Sequence, residues 1–139
     1  NTAKEFYFEC IYKNGVKLII SNKERGGVTF EGTEGRIWAN RGRHDAEPKS
    51  LLDSVIGPDE IHLYQSDNHS RNFIDCVISR KETVAPIETA HRSITISHLG
   101  NIAMRLGRDL KWDPDREHFV NDEQAERMMT RAMRSPWRL

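Results

Sequence analysis

The chain has 139 residues, enough for one domain with its own hydrophobic core, and its 21 basic residues balance 21 acidic ones. That balance leaves no overall field to favour nucleic acid or an anionic membrane surface, and no apolar run approaches the roughly 18 residues of a membrane span. Residues 1–20 do not read as a signal peptide, and the only cysteines, Cys10 and Cys76, lack the spacing of a metal knuckle or disulfide framework and read as buried thiols.

Residues 4–12, KEFYFECIY, alternate as a strand does, and Asn14-Gly15 signals a two-residue hairpin with positive φ at both turn positions. Residues 16–21 form the returning strand. A tight turn at that dipeptide sets Cys10 opposite Ile19 and Ile11 opposite Leu18. One face then carries Phe6, Phe8, Cys10 and Ile19, the other Tyr7, Ile11, Val16, Leu18 and Ile20. Two apolar faces need two covers: helices supply one, and either a second subunit or another part of the same polypeptide supplies the other.

Gly26-Gly27 opens a third strand at 28–31, and Gly32 to Gly35 turns it into a fourth at 36–39. This turn reads as a hairpin and not a phosphate cradle, because no helix follows it and neither GxGxxG nor a Walker-type glycine loop occurs in the chain. Residues 41–66 read as a polar surface loop with Pro48 and a short candidate helix at 50–56.

Asn68 is placed to cap a helix showing Phe73, Ile74, Val77 and Ile78 on one face, with Arg80 and Lys81 as cations at its C-terminal end. Pro86 breaks the chain. A second helix spans about 87–106, with Ile94, Leu99, Ile102 and Leu106 at helical spacing and Gly107 as a left-handed cap. Residues 110–112 suggest a short strand ended by Asp113-Pro114. A last helix is expected from Asn121, with Gln124 at capping-box spacing and Ala125, Met128, Met129 and Met133 on a core-facing side. Pro136 ends it, leaving Trp137 and Leu139 to anchor the tail. The expected class is α+β, an antiparallel or mixed β-sheet with helices on one face and the other face available for oligomerisation. The candidate interface residues are Tyr7, Ile11, Val16, Leu18, Ile20 and Trp137.

The words NFIDCV, API, HRS, HLGNIAMRLGR and WDP, together with GVTFEGTEGRIWANRG upstream and MRSPWRL at the end, occur in an order and spacing that resemble the C-terminal domain of bacterial Gfo/Idh/MocA proteins. This is the glucose-fructose oxidoreductase and inositol dehydrogenase family, and the resemblance covers nearly the whole chain. It implies the back part of a nicotinamide-dependent oxidoreductase acting on a sugar, polyol or related hydroxylated substrate, with NAD or NADP bound by an N-terminal Rossmann domain that lies outside this sequence. It also implies a homo-oligomer built on the open face of the sheet. A cytoplasmic location is expected, with periplasmic export left open by a signal on an upstream part, as in some members of the family.

The family's catalytic signature places an Asp four residues before a His on a helix, a spacing that stacks both groups on one face. Here Asp59 and His62 are three apart beside Gly57-Pro58, and no Asp-x-x-x-His occurs, so the catalytic role is not carried onto them. The family's Glu-Lys-Pro is also absent; Glu47-Pro48 lacks the lysine. The chain alone is therefore expected to bind no cofactor and to hold no catalytic residue. His91 and His98, seven residues apart, stand about 10 Å apart along a helix, too far for one metal ion, and read as hydrogen-bonded core or interface residues. Candidate substrate-facing residues are His69, Asn72 and Arg36, the first two with helix capping as the simpler role. Arg41 and Arg43 face a substrate or an intersubunit carboxylate only if they differ from most exposed arginines. A stand-alone, non-catalytic oligomerisation module is the alternative reading; a nucleic-acid binder is disfavoured by the zero net charge.

Overall fold

Capping signals decide the two long helices of the computed structural model, which describes residues 4–136. Asn68 precedes α1 (His69–Ser79) and its side chain accepts from the Arg71 N–H at 2.8 Å. Arg80 leaves α1 in the left-handed conformation, its N–H donating to the Cys76 carbonyl. Pro86 starts α2 (Ile87–Leu106), and Gly107, at φ 66°, closes it by donating to the Ala103 carbonyl. The strands are β1 (Tyr7–Ile11), β2 (Lys17–Ser21), β3 (Val28–Gly32), β4 (Gly35–Asn40), β5 (Arg43–Glu47), β6 (Trp112–Asp113) and β7 (His118–Phe119), and a short α3 (Glu123–Glu126) follows. All described pairings are antiparallel and the class is α+β, as expected, but the strands form three separate ladders: β1-β2, β3-β4-β5 and β6-β7.

The chain divides into two units, one made of the residues up to Ser21 with those from Ala85 onward, the other of Asn22–Val84. In the first, Ile102, Phe119 and Ala125 are buried, with Leu99, Leu106, Leu110, Trp112 and Met128 packed around them. Trp112 meets Phe119 edge to face at 5.2 Å between centroids, a favoured aromatic geometry. Gly100, buried on α2, admits the Phe8 ring so closely that a Cβ there would overlap it.

That contact fixes which face of β1-β2 is covered, and it differs from the expected one. The hairpin loop has three residues: the Gly15 N–H donates to the Tyr12 carbonyl and the Tyr12 N–H to the Val16 carbonyl, both at 2.9 Å, with positive φ at Gly15 and not at Asn14. One extra loop residue slips the register, so Cys10 pairs with Leu18 and Ile11 with Lys17. Leu18 and Ile20 therefore share the half-buried face of Phe8 and Cys10, and Val16 alternates onto that side too, while Ile19 moves to the outer face with Tyr7 and Ile11. The outer face is also less apolar than expected, because Glu9 and Lys17 form an ion pair on it at 3.0 Å. Trp137 lies outside the described residues. Of the two thiols expected to be buried, Cys76 is, whereas Cys10 is only half-buried, enough to push its thiol up.

The end of the first unit departs from expectation as well. Asp122, not Asn121, caps α3, accepting from the Ala125 N–H at 3.0 Å. Asn121 instead takes a positive φ of 54°, a conformation Asn tolerates, to turn the chain out of β7. α3 ends at Glu126, so Met128 reaches the core from beyond the helix while Met129 and Met133 are exposed.

In the second unit the hairpin expected after Gly26-Gly27 is present, and β5 extends it into a three-stranded ladder within the segment read as loop. Gly27, at φ 122°, lets its backbone lie against β4, where a Cβ would strike the Ala39 carbonyl oxygen. The short helix expected at 50–56 is a 3₁₀ turn at Lys49–Asp53. Asn72 on α1 ties the segments on either side of the helix: its Nδ2 donates to the Tyr64 hydroxyl at 2.6 Å and its Oδ1 accepts from the Val84 N–H at 3.0 Å. Cys76 adds a sulfur contact to the Glu82 carbonyl at 3.3 Å. The apolar face of α1 is otherwise open, with Phe73, Ile74, Val77 and Ile78 all exposed.

Candidate functional site: a histidine–glutamate pair on the first turns of α2

Ile87, His91 and Ile94 follow one another at four and three residues, which puts them on one face of α2 with Ala90 beside them. The loop from β6 to β7 crosses the end of this face. Asp113 shapes that loop by accepting from the N–H groups of Asp115 and Arg116 at 3.0 and 3.1 Å, and the Arg116 and Asp115 bonds hold its carboxyl below the usual range. The loop then sets Glu117 at φ 53°, a left-handed conformation unusual for Glu, from which its Oε1 reaches His91 Nε2 at 2.8 Å.

Arg92 locks the arrangement. Its Nε donates to Glu88 Oε1 at 2.7 Å and one terminal nitrogen donates to the Pro114 carbonyl at 2.6 Å, lying 3.8 Å from Glu117. The Glu88 bond is the main cause of a guanidinium held above its ordinary range. Ile87, Glu88, Ala90, His91, Ile94 and Glu117 together line an open groove of about 570 Å³. With Nε2 engaged by Glu117, the His91 Nδ1 has no partner among the described residues. A carboxylate on one ring nitrogen fixes imidazole orientation and leaves the other free to exchange a hydrogen bond or proton with a ligand.

His91 and His98 are exposed, so neither is a core residue, and no group of three or more potential metal ligands occurs among the described residues. The residues read as substrate-facing have other neighbours. His69 is exposed at the first position of α1, Asn72 has both polar atoms engaged as described, and Arg36 pairs across the strands with Glu47. No hydrogen bond or ion pair links the three to one another among the described residues. Asp59 and His62 lie in irregular chain, where His62 Nε2 meets the Gly57 carbonyl at 2.9 Å, so the helical stacking of the family's catalytic pair does not arise there. Glu117 was not legible as a site residue, since it reaches its partner from 26 residues away through a loop conformation that spacing does not encode.

Comparison with known families matches residues 4–139 to the family described as "Oxidoreductase family, C-terminal alpha/beta domain". No curated protein and no solved structure matches the chain. The matched span includes both units, and by it the chain belongs to the Gfo/Idh/MocA oxidoreductase family as a C-terminal domain.

Proposed function

We propose that this domain forms a substrate-cleft wall and a subunit contact in an NAD- or NADP-dependent oxidoreductase acting on a sugar, polyol or related hydroxylated substrate. The nucleotide would be held by a separate Rossmann domain, and this chain alone neither binds it nor catalyses. The observation that carries the reading is the His91–Glu117 pair in the apolar-walled groove. A left-handed non-glycine residue costs on the order of 1–3 kcal/mol and persists where its surroundings hold it. Here the strained residue is the one that orients the imidazole, and an oriented imidazole between aliphatic walls suits a ligand that carries hydroxyls on a carbon frame. The contact role rests on the outer face of β1-β2, where Tyr7, Ile11 and Ile19 remain about half or more exposed.

Titration of histidine-labelled protein with a panel of hexoses, cyclitols and hexitols, followed by NMR of the His91 ring, tests the substrate reading. At least one panel member should shift the ring signals saturably, and Glu117→Gln should weaken that response by about tenfold, the loss of one charge-assisted hydrogen bond. A ring that no panel member moves, or that responds equally in the variant, contradicts the reading.

A further inference from the structure

A second concavity, in the unit formed by Asn22–Val84, is lined by Arg25, Trp38, Asn40, Arg41 and Arg43 and has a volume of about 450 Å³. We propose that it binds a tetrahedral oxyanion, the phosphate or sulfate group of a small ester. Three guanidiniums line one recess, and their countercharge is small. Arg25 lies 3.9 Å from Asp45, whose other oxygen already takes the Lys49 ammonium and the Ala46 N–H. Arg41 and Arg43 have no ion pair among the described residues. Guanidinium forks match the spacing of phosphate and sulfate oxygens, and three of them suit a group with more than two terminal oxygens.

The Arg25 side of the recess is also held in place before any ligand arrives. Arg25 sits over the Trp38 ring, its guanidinium carbon 3.4 Å from the ring centroid, a cation–π contact that holds the head group at this wall of the recess. The backbone beneath Arg25 is pinned in turn, because the Gly26 carbonyl accepts from Trp38 Nε1 at 3.1 Å and from Asn40 Nδ2 at 3.2 Å. Gly27 permits that close approach, and Gly42, at φ 77° in the turn from β4 to β5, separates Arg41 from Arg43. Arg25, already held in this way, loses less freedom when an anion binds.

The test uses nitrogen-labelled protein titrated with inorganic phosphate and, separately, with sodium sulfate, at an ionic strength held constant with sodium chloride. The Trp38 indole and Arg25 Nε–H signals should move saturably with at least one of the two anions. Arg41→Gln with Arg43→Gln, on an exposed turn, should leave the unliganded Trp38 signal in place and raise the half-saturating concentration by about tenfold or more. The anion with the lower half-saturation identifies the ester class. Shifts that sodium chloride reproduces, a half-saturation unchanged in the double variant, or a response to a DNA oligonucleotide but to neither small anion would overturn the assignment.

Discussion

Asp122 shows how much one side chain can carry in this domain. One carboxylate oxygen caps α3 through the Ala125 N–H and also meets Arg108, whose other terminal nitrogen takes the second oxygen. The Arg108 fork first, and the Ala125 N–H second, hold this carboxyl at about 2 against an ordinary 3.8. Because the folded value is the lower one, the ionised group stabilises the fold above about pH 4, and that contribution is lost as pH falls toward 2. Thermal melts between pH 5 and 2 should show the wild-type Tm falling more steeply than that of Asp122→Asn, which should melt lower than wild type at pH 7. Parallel profiles would contradict this role. At this scale the sequence was legible where the signal is local: Asn68 and Gly107 cap the helices they were expected to cap. It was not legible where a rival stands next door, as with Asn121 and Asp122, or where the partner is remote, as with His91 and Glu117.

At the scale of elements, Pro86 and Gly107 bracketed α2 at the bounds it has, whereas the sheets depended on details that alternation does not carry. A three-residue turn in place of two reassigned Leu18, Ile19 and Ile20 between faces. β5, Arg-His-Asp-Ala-Glu, lacks an apolar stripe and exists through backbone pairing with β4, with Ala46 opposite Ile37 as its one buried side chain. The packing of β1 on α2 gives a prediction of sign. Alanine in place of a mid-helix glycine ordinarily stabilises by about 1 kcal/mol, but a Cβ at Gly100 meets the Phe8 ring, so Gly100→Ala should destabilise by about 1–3 kcal/mol. Urea unfolding measures this, and Phe8→Leu combined with Gly100→Ala should recover part of the loss. A stabilised Gly100→Ala protein would show that β1 does not pack on this turn of α2.

For the whole molecule, the α+β class and the family were legible because motif order survives errors in register, and the comparison over residues 4–139 bears both out. The division of the strands into three ladders was not, since it depends on which edges pair and not on which segments are strands. Many large apolar side chains stay in water within each unit: Ile11 and Ile87 in one, Phe30, Phe73 and Ile78 in the other. Apolar exposure on this scale is the physical argument behind the proposed subunit contact. The most direct test is sedimentation of the 139-residue chain over a range of concentrations beside Ile11→Lys with Ile19→Lys, the pair that the observed register places on the outer face of β1-β2. The account predicts a wild-type dimer or larger species and a folded, monomeric double variant. A wild-type protein that stays monomeric throughout, or a variant that associates equally well, would contradict it.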